Sequence, residues 1–272
     1  MLGRLSLEGK VVIVTGAAGG LGSAAARLMA ARGARLVLAD LYFEGAQALS
    51  QQLSADTLPV AVDLGDEPSI KAMIAATIER FGRIDVLHNN AADQSPDLGP
   101  RDLDILNMAT EVWDRTFRVN ARGTMIACRE VLPYMLKQGS GSIINMVSSL
   151  ALQGHIVQNA YSASKAALIQ MTRSIAASYG PQGVRCNSVA PGLTLTPQVA
   201  KVFPDAVRHL VEKETLRDRL GEPEDLAETV AWLASDAALN MNGQLIVSDG
   251  GCTTHVPDIA GYRALGAASA PK

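Results

Sequence analysis

The alternation of short apolar segments with longer helix-like segments is the feature that most constrains the fold of this chain. Val and Ile are frequent in the short segments, whereas the longer ones carry apolar residues at helical spacing. The short segments read KVVIVTG, ARLVLAD, LPVAVDL, IDVLHNNA, GSIINMVSS, VRCNSVAPG and GQLIVSDGG. Strands that alternate with crossover helices form a mostly parallel sheet. The chain is therefore predicted to adopt a doubly wound α/β fold with helices on both faces of the sheet.

The segments between the predicted strands form helices and two long loops. The loops comprise residues 93–109 and 193–220, and each follows the carboxyl end of a strand, where open α/β sheets bind their ligands. We therefore expect both loops to contact a substrate and residues 193–220 to form a lid. Helices are predicted over 21–32, 44–53, 67–81, 110–137, 161–180 and 222–234, with a weakly amphipathic one at about 206–214 inside the second loop.

The domain organisation is simple, because the chain shows no internal repeat and no change of composition that would mark a boundary. A single catalytic domain is predicted over residues 1–255, a usual size for one α/β domain. The remaining residues, 256–272, contain many Ala and Gly residues and are weakly patterned. They are predicted to form a C-terminal tail that is either a loose arm or packs on a neighbouring subunit.

Charge and composition exclude several classes of function. The chain of 272 residues has a formal net charge of −3 and no block of Lys or Arg, so neither nucleic acid nor a membrane surface is expected as a partner. No segment reaches the ~18 apolar residues of a membrane span, and the N-terminal segment is unlike a signal peptide. The three cysteines are widely spaced. They predict no disulfide and no metal site, and they favour a reducing, cytoplasmic location.

The first predicted strand leads into the glycine loop, residues 15–22, which reads TGAAGGLG and precedes a predicted helix. Glycines allow a tight turn and a close approach to a pyrophosphate, and the helix N-terminus offers free N–H groups. A surface turn with no ligand is the alternative, since many turns contain glycine. The position between a strand and a helix favours a dinucleotide site.

Asp40 ends the second predicted strand, 18 residues after Gly22. A carboxylate at this place can accept hydrogen bonds from both ribose hydroxyls of an adenosine, and its charge repels a 2′-phosphate. The next residue is Leu41 rather than a basic residue, which favours NAD over NADP. Asp40 as a cap of the following helix is the alternative. Asp63, at the end of the third strand, is a candidate contact of the adenine edge.

Tyr161 and Lys165 lie four residues apart on a predicted helix, so they share a face. A phenol has a pKa near 10, and a nearby ammonium group lowers it toward the range of a general base. Ser148 closes the fifth strand and is a candidate hydrogen-bond partner of a substrate oxygen. Asn120 lies in the predicted long helix, where its amide can disrupt the helical ladder and hold a water. Each residue alone also fits an ordinary surface or capping role.

Taken together, these motifs resemble those of the short-chain dehydrogenase/reductase family over about residues 6–252. The resemblance implies a seven-stranded Rossmann-type sheet in a single domain. It also implies a catalytic tetrad of Asn120, Ser148, Tyr161 and Lys165. The matching segments are TGAAGGLG, Asp63, NNAA at 89–92, YSASK at 161–165, PGLTLT at 191–196 and SDGG at 248–251. Ala92 departs from the pattern, because the family usually has Gly after Asn-Asn-Ala.

The pattern and the resemblance predict the binding residues. The cofactor set is Gly16, Gly20, Leu21, Gly22, Asp40, Asp63, Leu64, Asn90, Ala91, Tyr161, Lys165, Pro191, Gly192, Thr194 and Thr196. The substrate set is Ser148, Leu150, His155, Asn159, Tyr161 and Leu193. For His155, the alternative is a loop histidine without a substrate role.

The resulting hypothesis is an NAD-dependent oxidoreductase that transfers a hydride between a secondary alcohol, or its ketone, and NAD(H), with Tyr161 as general base. Resemblance also implies a homotetramer that pairs the helices at about 110–137 and 159–180. An NADPH-dependent ketone or 3-oxoacyl reductase is the alternative within the enzyme class. A non-catalytic NAD(H)-binding regulator is the alternative outside it, since such proteins keep the glycine loop and lose the tetrad.

Overall fold

The computed structural model describes residues 3–268, and seven parallel strands form its sheet. Each strand pairs with its neighbours in parallel register, in the order β3-β2-β1-β4-β5-β6-β7. The strands are β1 (Val11–Thr15), β2 (Arg35–Asp40), β3 (Thr57–Ala61), β4 (Val86–Asn89), β5 (Gly141–Met146), β6 (Val184–Pro191) and β7 (Leu245–Ser248). The predicted doubly wound, seven-stranded sheet is confirmed, and it is wholly rather than mostly parallel.

Helices connect the strands and cover both faces of the sheet. They are α1 (Gly20–Ala31), α2 (Phe43–Gln52), α3 (Glu67–Phe81), α4 (Thr110–Phe117), α5 (Thr124–Gln138), α6 (Asn159–Tyr179), α7 (Pro197–Val202), α8 (Asp205–Glu214), α9 (Pro223–Ala234) and α10 (Ile259–Ala268). A π-helical segment, Arg118–Gly123, joins α4 to α5. Within residues 3–268, no helix is both long and apolar enough to span a membrane.

The apolar strands are buried on both faces, which explains why they lack an alternating pattern. Val12 and Val14 face the core cluster that α1 and α9 complete. Val11 and Ile13 alternate with these two residues along β1. They belong to the second core cluster, to which α3, α5 and α6 also contribute. Each fully buried Val or Ile contributes about 1.5–3 kcal/mol. The two half-cores therefore hold the sheet between two helical layers.

Local capping fixes the ends of α3. The side chain of Asp66 accepts the backbone N–H of Ser69 at 3.1 Å, as an N-cap residue does. Gly82 ends the helix in the left-handed conformation, with φ of 72°. The predicted bounds of this helix, 67–81, are confirmed, and of the two caps that the sequence allows, Asp66 and Ser69, the structure has Asp66.

The strand order reverses direction between β1 and β4. From β1 the chain proceeds outward to β2 and β3, and it then returns to place β4 on the other side of β1. The helices that follow β1 and β4 consequently lie on opposite faces, and a crevice opens at the carboxyl ends of these strands. The glycine loop, the segment after β4 and the loop after β6 all begin at this edge of the sheet.

Three parts of the fold differ from the sequence prediction. The single helix predicted over 110–137 is interrupted by the π-helical segment. Helix α7 lies in the second loop, where no helix was expected before residue 206. The tail is not a loose arm over its described part, because residues 259–268 form α10 beside α8. Residues 1–2 of the predicted domain and 269–272 of the predicted tail lie outside the described residues.

Candidate active site

The glycine loop turns so tightly that side chains could not replace two of its glycines. Gly16 has a φ of +65°, and a Cβ atom on Gly22 would lie 2.1 Å from the carbonyl oxygen of Gly16. Helix α1 begins at Gly20 with no side-chain cap and no acidic residue in its first turn. Its first N–H groups thus suit an anionic ligand such as a pyrophosphate. Leu21 packs against the core cluster below the loop.

Asp40 links the end of β2 to the glycine loop. Its Oδ2 atom accepts the backbone N–H of Ala18 at 2.8 Å, and its Oδ1 atom accepts that of Tyr42 at 2.9 Å. Tyr42 is the N-cap residue of α2, so Asp40 is not the cap of that helix. The side chains of Leu41 and Tyr42 are exposed, and neither is basic. The carboxylate therefore lies beside the glycine loop, as a ribose-binding role requires.

Asn90 and Ala91 are held against the glycine loop by hydrogen bonds. Asn90 Nδ2 donates to the carbonyl oxygens of Thr15 and Gly16 at 3.0 and 3.1 Å. The N–H of Ala91 donates to Thr15 Oγ1 at 3.2 Å. The structure thus brings these two predicted cofactor residues to the crevice between β1 and β4.

Asp63 and Leu64 lie at the outer end of the same crevice. Asp63 is exposed, and its Oδ1 atom accepts the N–H of Gly65 at 2.7 Å. Leu64 is buried against the π-helical segment, where a Cβ on Gly123 would lie 2.3 Å from the Leu64 carbonyl oxygen. This close contact explains why the segment contains a glycine at that point.

The loop after β6 meets the glycine loop across the crevice. A Cβ on Gly20 would lie 2.7 Å from the side chain of Thr196, whose hydroxyl caps α7 by accepting the N–H of Val199 at 3.1 Å. Pro191 ends β6, and a Cβ on Gly192 would lie 2.9 Å from the backbone of Asp249. Thr194 is buried, with its hydroxyl donating to the Gly192 carbonyl at 3.1 Å. The residues present therefore fit a dinucleotide held between two loops.

Tyr161 and Ser148 form the centre of the candidate site. Burial raises the pKa of the Tyr161 phenol above its ordinary value, whereas the nearby side chains of Ser148 and Gln94 act to lower it. The lowering by Lys165 that the sequence predicted is not found in the protein alone, where desolvation is the largest effect on the pKa of this phenol.

Lys165 is almost completely buried beneath Tyr161. Its Nζ atom donates to the backbone carbonyl of Met146 at 2.8 Å and lies 5.7 Å from the centroid of the Tyr161 ring. Burial lowers the pKa of the ammonium group to about 8. A cation held in this position favours the ionised form of a nearby phenol.

Asn120 lies in the π-helical segment, where the helical ladder is widened as the sequence predicted. Its Oδ1 atom accepts the N–H of Asp93 at 2.9 Å, and its Nδ2 atom donates to Ser164 Oγ at 3.2 Å. Asn120 therefore joins three parts of the site: the first loop, the π-helical segment and the helix that carries Tyr161 and Lys165.

Asp93 and Arg115 order the first loop and were not identified from the sequence. Arg115 Nε donates to Asp93 Oδ2 at 2.8 Å, and Arg115 Nη1 donates to Asp97 at 2.6 Å. Asp93 Oδ1 also accepts the hydroxyl of Ser95 at 2.7 Å. These bonds lower the pKa of Asp97 and raise that of Arg115. The start of the loop is therefore fixed to α4.

Asp102 caps the helix that carries Tyr161. Its carboxylate accepts the backbone N–H of Ala160 and that of Tyr161, each at 2.9 Å. Its backbone carbonyl accepts the N–H of Gln158 at 2.7 Å, where the chain has a left-handed φ of 59°. No local pattern marks this residue, because the helix end that it caps lies 58 residues further along the chain.

The predicted substrate residues differ in their partners, and not all of them face the centre of the candidate site. Leu150 lies beside Ser148, because its N–H donates to Ser148 Oγ at 3.2 Å. His155 Nδ1 lies 2.9 Å from the carbonyl oxygen of Val157, so its ring faces its own loop, in line with the loop-histidine alternative. Asn159 Nδ2 donates to the Leu103 carbonyl at 2.9 Å. Leu193 is half-buried beyond β6.

Comparison with known proteins gives close matches over nearly the whole chain. A family model described as enoyl-(acyl carrier protein) reductase matches residues 16–253. A probable short-chain type dehydrogenase/reductase of Bradyrhizobium diazoefficiens is 40% identical over 258 residues, covering 93% of this chain and 90% of the relative. The 7alpha-hydroxysteroid dehydrogenase of Bacteroides fragilis is 38% identical over 255 residues, covering 93% and 97%. The crystal structure of a levodione reductase superposes with a TM-score of 0.84 at 32% identity, covering 91% of this chain and 99% of that one.

Proposed function

This chain belongs to the short-chain dehydrogenase/reductase family, and from that premise we propose that it transfers a hydride between a secondary alcohol, or its ketone, and NAD(H). One observation carries the proposal: the Tyr161 phenol lies near the Ser148 side chain, and the Nζ atom of the buried Lys165 lies 5.7 Å from the centroid of its ring. A proton acceptor and a hydrogen-bond donor thus converge on one point beside the crevice. Such a pair is what removal of a proton from an alcohol requires.

Each residue of the site has its own role in the proposed reaction. Ser148 holds the substrate oxygen by a hydrogen bond, and Tyr161 in its phenolate form takes the hydroxyl proton. Lys165 stabilises the phenolate by its charge. Asn120 holds the Tyr161 helix and the first loop in place through the two hydrogen bonds of its side-chain amide. NAD, when bound, supplies the hydride acceptor. In the opposite direction, the phenol of Tyr161 returns the proton to the ketone oxygen.

The residues that would hold the dinucleotide lie on the loops at the β1/β4 crevice. The glycine loop would bind the pyrophosphate through its backbone, since no side chain could replace Gly16 or Gly22. Asp40 would accept the ribose hydroxyls, and Thr196 would bind at the nicotinamide end. Asp63 and Leu64 would meet the adenine.

The preference for NAD over NADP rests on Asp40. Its charge lies beside the glycine loop, with exposed Leu41 and Tyr42 next to it rather than a basic side chain. A 2′-phosphate at this place would meet a carboxylate at short range, and such repulsion costs about 1 kcal/mol at 4 Å even in water. We therefore propose NAD as the cofactor.

We also propose that the protein is a homotetramer and that it is located in the cytoplasm. The outer surface of α5 and α6 includes exposed Met125 and Ala167, which allow a second copy to approach closely. Ile175, in contrast, belongs to the core of its own subunit. The low cysteine content and the near-neutral charge support a cytoplasmic location.

The decisive experiment compares NADH and NADPH binding by fluorescence and then screens NAD+ turnover over a panel of secondary alcohols. Tighter NADH binding together with turnover of at least one secondary alcohol is the expected result. Tighter NADPH binding would contradict the cofactor proposal and favour a ketone or 3-oxoacyl reductase. NADH binding with no turnover across the panel would contradict the enzymatic proposal and favour a regulator.

A further inference from the structure

A group of buried polar side chains lies at the second core cluster and has no role in the proposed mechanism. Its members are Asn89 of β4, Asn145 of β5, Thr172 of α6 and the two cysteines Cys128 and Cys186, each at most 2% exposed. Asn89 Nδ2 donates to Asn145 Oδ1 at 2.9 Å and to Cys128 Sγ at 3.3 Å. Burial of an amide is unfavourable unless it is hydrogen-bonded, so the partners of these amides indicate what the group holds together.

Asn145 joins strand β5 to helix α6. Its Nδ2 atom donates to Thr172 Oγ1 at 2.9 Å and lies 3.6 Å from Cys186 Sγ. The Thr172 hydroxyl donates its single hydrogen to the carbonyl of Leu168 at 2.8 Å, so its oxygen acts as an acceptor toward Asn145. The amide nitrogen of Asn145 must therefore face α6. Its amide oxygen is then turned toward Asn89, as the bond between the two strands requires.

Lys165 attaches the same helix to the same strand at a second point. Its Nζ atom donates at 2.8 Å to the carbonyl of Met146, the residue after Asn145 in β5. Thr172 follows Lys165 by seven residues, close to two helical turns, so both side chains lie on one face of α6 and about 10 Å apart along its axis. A helix attached at one point can pivot about it. Attachment at two separated points prevents that movement.

Apolar packing between α6 and the sheet is less selective for one placement of the helix. Leu168 and Ile169 of α6 pack with Val147 and Ala190 in a small buried cluster. The hydrophobic effect follows the buried area and has no preferred direction. A hydrogen bond, in contrast, weakens steeply when its distance or angle changes. The bonds of Lys165 and Thr172 therefore restrict how α6 lies on β5.

The placement of α6 on β5 decides whether Tyr161 and Ser148 can act on the same substrate oxygen. Ser148 follows β5, three residues after Asn145, whereas Tyr161 lies in α6. The two groups that the proposed mechanism brings to one oxygen thus belong to the two elements that Asn145 joins. Reaction rates are sensitive to such placement, since an error of about 1 Å can cost about 10²-fold in rate.

We propose that Asn145 is a positioning residue that, through Thr172, holds α6 on β5 so that the Tyr161 phenol and the Ser148 hydroxyl meet one substrate oxygen. The inference rests on the proposed alcohol dehydrogenase function and adds to it a residue that acts only through others. The dinucleotide is expected at the β1/β4 crevice rather than at this contact. Loss of the contact should therefore lower kcat and leave NADH affinity unchanged.

Thr172→Val tests the proposal, because a methyl group replaces the hydroxyl in a side chain of the same shape and the Asn145 amide loses its partner on α6. We expect kcat for oxidation of a secondary alcohol by NAD+ to fall about tenfold, within the range that misplacement of a reacting group causes. Thr172→Ser keeps the hydroxyl and should recover most of the rate. The rate is expressed per NADH-binding site, counted by fluorescence titration, so that a loss of folded protein is not read as a loss of kcat.

Thr77→Val is the matched control. Thr77 is fully buried in α3, and its hydroxyl donates to the carbonyl of Met73, four residues earlier, at 2.8 Å, just as Thr172 donates to Leu168. Helix α3 carries no residue of the proposed mechanism. The control should therefore lose thermal stability as Thr172→Val does and keep the kcat of the wild type.

The outcomes separate this inference from the function on which it rests. A wild-type kcat in Thr172→Val, an equal loss in Thr77→Val, or no recovery in Thr172→Ser would each overturn the positioning role of Asn145 while leaving the oxidoreductase function intact. A loss of NADH affinity equal to the loss of kcat would overturn it as well, since it would show a general disturbance of the site. Absence of turnover with every secondary alcohol in the wild type would instead overturn the proposed function itself.

Discussion

The Nζ atom of Lys165 lies 5.7 Å from the centroid of the Tyr161 ring, and its bond to the Met146 carbonyl holds it there. The ammonium group is thereby fixed to β5 while the phenol belongs to α6, so the packing of helix on sheet sets their separation. Burial acts on the pair in two ways, because it raises the pKa of the phenol and lowers that of the ammonium group. The two effects move the two pKa values apart, because the pKa of the phenol rises above its ordinary value while that of the ammonium group falls to about 8.

Replacement of Tyr161 by Phe should remove the proton acceptor and leave the fold and the cofactor crevice in place. We expect kcat for alcohol oxidation to fall about 10²–10⁴-fold, the usual contribution of general acid–base catalysis. NADH affinity, measured by fluorescence, should stay within a few-fold of wild type. Tyr179→Phe, at the other end of the same helix, is the control. A Tyr161→Phe variant that kept most of its rate would show that another group is the base.

Alcohol oxidation should become faster as pH rises, because only the deprotonated phenol of Tyr161 accepts the proton, and ketone reduction should become slower. Lys165 carries its charge below its pKa of about 8, and this charge favours the phenolate. Lys165→Met should therefore move the rising limb of the oxidation profile up by about one to three pH units. The measurement is kcat/KM from pH 6 to 10. An unshifted limb in Lys165→Met, as expected for the surface control Lys137→Met, would exclude this role for Lys165.

Asp40→Asn should relax the discrimination against NADP, since it removes the charge and keeps an acceptor for the glycine loop. The ratio of kcat/KM for NAD+ to that for NADP+ should fall at least about fivefold, as expected for the loss of about 1 kcal/mol of repulsion. Glu79→Gln, an exposed charge change on α3, serves as the control and should not alter the ratio. If the ratio in Asp40→Asn equalled that of wild type, the preference would have to come from another residue.

Asp102→Ala should remove the partner of two helix N–H groups and displace the start of the Tyr161 helix. The free energy of unfolding should fall by about 1–3 kcal/mol, and kcat should fall while NADH affinity is preserved. Asp66→Ala removes a comparable cap from α3 and should lower stability without changing kcat at saturating cofactor. Equal kcat values in the two variants would mean that Asp102 stabilises the fold without positioning Tyr161.

The sheet and the common helix of Tyr161 and Lys165 were predictable because their signals are local or regularly spaced. Seven apolar segments identified the strands, and a possible cap at Asp66 or Ser69 preceded the helical segment that became α3. Tyr161 and Lys165 were found because four residues make one helical turn. The π-helical segment around Asn120 was anticipated as a disturbance of the ladder, although its length was not.

The first loop and the tail were not predictable in detail, because tertiary contacts decide their structure. Asp102 is one of several aspartates in its loop, and only the folded chain brings it to the N–H of Tyr161. Gln94 has no sequence feature that connects it with a phenol 67 positions away. Helix α10 lies in an Ala- and Gly-containing segment whose pattern is weak. It is held by bonds such as that of Arg263 to the carbonyl of Thr215 at 3.1 Å.

The reversal of strand order between β1 and β4 also has a consequence for how the chain folds. Thr15 and Asn90 meet across the crevice at 3.1 Å although 75 positions separate them. Closing so long a loop costs chain entropy. The free energy gained when these central strands pair offsets that cost. No fragment that lacks either strand contains the crevice. A dinucleotide therefore binds only a sheet in which β1 and β4 are paired, and it stabilises that sheet by mass action.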